Sequence, residues 1–271
     1  MEMRGLMGGL YKISEWIMRL SVTNLLWIIC SIPYIFLLLP TLMAQTTDQF
    51  LSGIILSSIV APFTLFPATS AMFAVARKWV MGEVDAPLLR TFFRNYKESY
   101  LQSMIGGILY VLLFAIMIVD FQVYVKELTT LKLVSYLFIA LMVLLAVSLF
   151  NFFSMVVHYH MKTFQLLKNS VLLTIGRPIR SMSTAIMSGI VIYISVSSPK
   201  LMFLIPFFTG SIVAAIAFWN FYGIYTKLQM QAEKNAAAAA EAEAEEAAQR
   251  ASEDAVGIEK LEADKESNVR K

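Results

Sequence analysis

The sequence predicts an all-α, polytopic membrane bundle of about six transmembrane helices, on three observations. Apolar residues make up 58% of the 271 positions and charged residues only 15%, against roughly 45–50% and 25% in ordinary soluble domains. The apolar residues fall into runs free of Asp, Glu, Lys and Arg at about 21–40, 51–76, 101–119, 133–157, 183–199 and 201–226. Each run is of the length, about 20 residues, that a helix needs to cross a hydrocarbon core of about 30 Å. The basic residues between the runs also alternate from side to side.

On one side, the segments 1–20, 77–100, 158–182 and 227–234 carry 14 Lys and Arg. On the other, 41–50, 120–132 and the turn at 200 carry only Lys126, Lys132 and Lys200. Short loops rich in Lys and Arg stay cytoplasmic, so this bias predicts both termini inside, and losing one span would break the alternation.

The N-terminal stretch, 1–20, alternates Arg4, Gly8, Lys12, Glu15 and Arg19 with Leu6, Leu10, Ile13, Ile17 and Leu20 at helical spacing. It is predicted to be an interfacial amphipathic helix leading into the first span. About 20 such residues are too many for the n-region of a cleaved signal, so the first run reads as a retained span. Cys30 is the single cysteine and lies inside that run, which excludes an intrachain disulfide.

In the loop 77–100, Asp85 is placed to cap a helix with Pro87 in its first turn. Leu88, Leu89, Phe92, Phe93, Tyr96 and Tyr100 then share one face, with Arg90, Arg94 and Lys97 off it. The loop 158–182 repeats the pattern, with Phe164, Leu167, Val171 and Ile175 against Lys162, Lys168 and Asn169. Between the last two runs, Ser197-Ser198-Pro199-Lys200 reads as a tight turn, because Pro199 disfavours helix at Ser198 and Lys200 can reach an interface; a re-entrant fifth segment is the alternative. The bundle 21–226 is followed by a cytoplasmic tail, 227–271, whose Ala/Glu-rich part has high helix propensity and nothing large to bury. From Ala251 its composition is that of a disordered end. The charges divide accordingly: 16 basic and 8 acidic residues up to position 232, and 6 and 11 beyond it.

Chemistry-bearing motifs are sparse. The runs hold no ionisable residue away from their ends, which argues against proton-coupled transport, voltage sensing and intramembrane aspartyl proteolysis. The sequence has no phosphate-cradling Gly-rich motif, no HExxH and no CxxC. His158 and His160 are two apart and point to different sides of a helix. An enzyme, a cofactor, a metal site and a nucleic-acid partner are therefore not expected. Asn24, Pro33, Pro62, Pro67, Asn151, Pro206 and Asn220 are the polar and helix-breaking positions within the runs, expected to be buried in the bundle with Thr64 and Thr69. Proline in a span frees a carbonyl that a neighbour must satisfy, as in the broken helices of transporters. The small pairs Ser103/Gly107, Ala185/Gly189 and Gly210/Ala214 suit close helix contacts.

Several of these segments resemble the YesL-like family of bacterial membrane proteins of uncharacterised function. The resemblance is carried by Asn24-Leu25-Leu26-Trp27 with Pro33, by Phe66-Pro67-Ala68-Thr69, by Phe92-Phe93-Arg94-Asn95-Tyr96-Lys97 and by Leu167-Lys168-Asn169-Ser170. It covers about residues 1–226, and the Ala/Glu tail departs from it. It implies a Gram-positive plasma-membrane protein associated with carbohydrate uptake by ATP-driven importers, and it brings no catalytic or binding residues. The expected function is that of an accessory or regulatory subunit that meets a membrane protein partner, an importer subunit or a sensor. The candidate docking residues are Phe92, Phe93, Arg94, Tyr96 and Lys97, beside the bilayer and its anionic headgroups. The alternative is a small permease for an uncharged solute, with Pro62, Pro67, Asn151 and Asn220 along the route.

Overall fold

A computed structural model describes residues 6–126 and 132–269, and those residues form helices and short connections with no strand. In chain order the helices are α1 (Leu6–Cys30), α2 (Ile32–Leu42), α3 (Thr47–Val80), α4 (Leu88–Glu98), α5 (Tyr100–Lys126), α6 (Lys132–His158), α7 (Thr163–Gly176), α8 (Pro178–Val196) and α9 (Gly210–Val269). A 3-10 turn (Pro199–Leu201) and a π-helical turn (Ile205–Thr209) join α8 to α9. Among the described residues, six segments are long and apolar enough to cross a bilayer: Gly9–Cys30, Thr47–Val80, Tyr100–Lys126, Leu133–His158, Pro178–Val196 and Ile205–Glu245. The chain is a multi-pass, all-α membrane protein. By contacts it divides into two units, Met1–Tyr222 and Gly223–Lys271. The second unit is helical through Val269, past the point where composition suggests disorder.

The surface follows the rule of a protein whose solvent is lipid. Hydroxyl and amide side chains such as Thr23, Asn24, Ser70, Ser103, Ser148 and Ser154 are fully buried, while Leu10, Ile55, Leu112, Ile186 and Tyr193 stand outward. Lipid tails are as apolar as a leucine, so helices gain from small residues and polar partners inside, with large apolar side chains left on the outside.

The same pattern holds in the two predicted amphipathic helices. In α1, which runs unbroken from Leu6 to Cys30, Leu10, Ile13 and Ile17 are exposed, and Arg19, Thr23, Asn24 and Leu26 are buried. Arg4 lies outside the described residues. In α7, Phe164 and Ile175 are exposed while Leu166, Ser170 and Thr174 face inward. The hydroxyls turn in because they have partners: Tyr110 of α5 shares its phenol with Ser148 of α6 at 2.9 Å and Ser170 of α7 at 3.0 Å.

The first apolar run is bent at Ser31. Its N–H reaches both Trp27 O and Ile28 O at 3.0 Å, and Pro33 opens α2 with no N–H to return to the preceding turn. Pro33 is exposed, not buried as predicted; at the start of a helix its missing donor leaves nothing for the bundle to satisfy. The predicted outer loop 120–132 is helical as far as Lys126, and 127–131 lie outside the described residues. α3 ends at Gly82, whose φ of +88° closes a Schellman motif in which Glu83 N–H reaches Lys78 O at 2.9 Å. The Ser197–Lys200 turn has the predicted form: Ser198 is extended and its Oγ accepts from Lys200 N–H at 3.4 Å.

The core lies where α3, α5 and α6 meet. Phe66 and Phe73 of α3 flank Phe153, with ring centroids at 5.3 and 5.5 Å, and Tyr110 meets Phe152 edge-on at 5.2 Å. Gly106 and Gly107 make this approach possible. A Cβ on Gly106 would lie 2.1 Å from the tip of the Phe152 ring, and one on Gly107 would lie 2.8 Å from Phe66 and 3.0 Å from the Pro62 backbone.

Candidate functional site

The candidate docking segment folds as α4, and its two sides do different things. Phe92 is fully buried, while Leu89 and Phe93 are 57% and 45% exposed. The aromatic stripe is therefore split, since adjacent residues on a helix lie about 100° apart. Phe92 and Phe93 touch edge-on at 5.7 Å, and Tyr96 is half-buried, its phenol pushed upward by burial. Lys97 is exposed with Arg90 and Arg94. Arg94 Nε donates to Glu98 at 2.8 Å, a pairing that raises its already high pKa.

Asp85 does not cap α4. Pro87 occupies the N-cap position with no side-chain bond, and Asp85 instead accepts from Arg19 at 3.3 Å. Glu15 holds the same guanidinium, so a buried cation from α1 takes the carboxylate that the spacing assigned to the helix end.

Beneath the other side of α4 lies a cavity of about 610 Å³, walled by the last turn of α3, by α4, by the start of α5 and by Val156, Val157 and His160. Its charged lining comprises Arg77, Lys78, Arg90 and Arg94 with Glu83 and Glu98. Lys78 is paired with Glu83, as Arg94 is with Glu98. Arg77 Nη1 donates to Val157 O at 2.8 Å, and its Nε is buried with no hydrogen-bond partner. Gln102 donates to Met161 O, closing the wall. Sequence reasoning missed this cavity because its residues come from 77–102 and 156–160, and no local spacing signals that they meet.

The polar positions within the spans divide among separate packing sites. Asn24 is fully buried. Its Nδ2 donates to Ile205 O at 2.9 Å and Pro206 O at 2.7 Å, and its Oδ1 accepts from Ser211 N–H at 3.0 Å. Asn151 Nδ2 donates to Thr174 at 2.9 Å and reaches Ser181 at 3.4 Å. Asn220 Nδ2 lies 4.0 Å from Met187 Sδ. Pro62 and Pro67 are buried and Pro206 half-buried. Pro67 leaves the carbonyl four residues earlier without its helical donor, and Tyr100 Oη donates to that oxygen, Phe63 O, at 3.1 Å. Thr69, half-buried, accepts from Trp27 Nε1 at 3.0 Å. Of the small pairs, Ser103 donates to Ser70 at 2.6 Å and Gly210 lies against Asn24, whereas Gly189 is exposed with nothing within 4 Å of a built Cβ.

His158 packs among the rings of Tyr159, Phe218, Phe221 and Tyr222. No three His, Cys, Asp or Glu side chains converge among the described residues.

A family model described as "Protein of unknown function, DUF624" matches residues 20–121, from α1 through α4 into α5. Two relatives from Bacillus subtilis (strain 168) cover most of the chain. "Uncharacterized protein YteU" is 26% identical over 229 residues, 84% of this chain and 90% of its own. "Uncharacterized protein YesL" is 27% identical over 230 residues, 85% and 96% respectively. The chain is similar to YesL over most of both chains. "Uncharacterized protein YesV" of the same organism is 28% identical over 143 residues, 52% of this chain and 67% of its own. No solved structure matches this chain.

Proposed function

We propose that this YesL-like chain is a non-enzymatic accessory or regulatory subunit of the plasma membrane, with both termini in the cytoplasm, that docks a membrane protein partner along the outer edge of α4. The observation that carries this reading is the division of α4: Phe92 fixes the helix in the bundle at 0% exposure, while Leu89 and Phe93 stand out among Arg90, Arg94 and Lys97. Exposed aromatic and arginine side chains side by side are the composition of interface hot spots. The family match runs through α4, which supports a role shared with the relatives. An importer of carbohydrate as the partner class rests on the resemblance alone.

A photo-crosslinking residue placed at position 97 of the full-length chain, exposed on the same edge, should capture one membrane protein in its native membrane at near-stoichiometric yield. Leu89→Ser with Phe93→Ser should abolish the capture and leave stability unchanged. Phe92→Ala, by contrast, should cost about 3–5 kcal/mol as a fully buried ring is removed. A chain that crosslinks only to lipid, or whose capture survives the double substitution, would overturn this reading.

A further inference from the structure

We propose that the cavity beneath α4 is a binding site for a phosphate monoester, either the headgroup of a lipid or a free small molecule. Its volume, about 610 Å³, falls within the roughly 300–1,000 Å³ of small-molecule sites. The lining is not the apolar one of a lipid-tail crevice: four cations face two carboxylates, a formal surplus of two positive charges. Both carboxylates are already taken, Glu83 by Lys78 and Glu98 by Arg94. The surplus therefore resides on Arg77 and Arg90, which matches the charge of a phosphate monoester near neutral pH.

Arg77 is held in the lining by its bond to Val157 O. Arginine's planar fork suits phosphate oxygens better than a lysine point charge does. His160 and Thr91, also in the lining, place two further polar side chains within the same space. Arg90 and Arg94 line both this space and the outer edge with Leu89 and Phe93, and direct ligand binding to the purified chain separates the two readings.

The test uses the full-length protein, delipidated in detergent and titrated with glycerol 3-phosphate, with sodium sulfate as an ion control. In parallel, nanodiscs containing phosphatidate are compared with nanodiscs containing phosphatidylglycerol at equal lipid charge, with bound lipid counted by native mass spectrometry. Saturable binding of glycerol 3-phosphate identifies a soluble ligand; preferential retention of phosphatidate alone identifies a headgroup. In either arm Arg77→Gln and the exposed Arg90→Gln should each weaken binding at least tenfold, while Lys97→Gln changes it less than twofold. Arg90→Gln keeps the test decisive if Arg77→Gln fails to fold. The proposal is overturned if neither probe binds above its control, or if binding persists in Arg90→Gln.

Discussion

Asn24→Ala is expected to be among the most destabilising single changes in the chain, at about 2–4 kcal/mol. One side chain on α1 holds three backbone groups at the π-helical turn, Ile205 O, Pro206 O and Ser211 N–H. A buried polar group deprived of its partner costs about 1–3 kcal/mol, though a typical interhelical bond in a membrane protein contributes only about 0.6 kcal/mol, because the unfolded state in the membrane finds other partners. Backbone groups freed at Ile205 and Pro206 have less choice, since the π-turn has already displaced them from the regular ladder. Denaturation by SDS in mixed micelles should show the loss as a lower midpoint. Asn24→Asp should be at least as harmful, because it retains the acceptor for Ser211 but removes both donors and adds a buried charge. A midpoint unchanged in Asn24→Ala would show that the clamp contributes nothing.

Gly106→Ala should prevent accumulation of folded protein. Its Cβ would lie 2.1 Å from Phe152 Cζ, and that ring cannot retreat because Tyr110 and Phe153 pack against it at 5.2 and 5.6 Å. Overpacking of a filled core costs about 1–3 kcal/mol or more, and here it opposes the close contact of α5 with α6. Phe152→Leu should partly restore folding to the Gly106→Ala chain by making room for the methyl. Gly189→Ala, with open space around it, should behave as the unsubstituted protein does. Normal yield from Gly106→Ala, or equal losses at both glycines, would contradict this packing.

The two glycines also show what was legible in the sequence. Ser103/Gly107 and Ala185/Gly189 have the same four-residue spacing, and only the first pair meets a neighbouring helix. Spacing records that a helix has a small-residue face; it does not record whether another helix arrives there. The spans themselves were legible because an apolar run of bilayer length has few other uses, and so was the Ser197–Lys200 turn, because proline acts on its own neighbour. The residues that α1 and α7 bury were not, because a periodic pattern shows that a helix has an apolar face without showing what covers it. In lipid, Ser170 and Thr174 go inside, where Tyr110 and Asn151 supply partners. Asp85 was assigned to the nearest helix end, and Arg19, 66 residues away, had the stronger claim. The cavity under α4 could not be found from spacing, since Arg77 comes from the last turn of α3 and His160 from the connection between α6 and α7, which meet only in the folded bundle. Asn24 was recognised as a buried amide; its task at Ile205 and Pro206 was hidden until the π-turn was visible.

Everything proposed for α4 depends on which side of the membrane it occupies, and cysteine accessibility tests this most directly. In the full-length chain with Cys30→Ala, single cysteines are introduced as Gln45→Cys, Asp85→Cys, Lys200→Cys and Glu243→Cys and exposed to a membrane-impermeant maleimide. Gln45→Cys and Lys200→Cys should label in intact cells, whereas Asp85→Cys and Glu243→Cys should label only after permeabilisation. Labelling of Asp85→Cys in intact cells would place α4 and its cavity outside and contradict the cytoplasmic docking role.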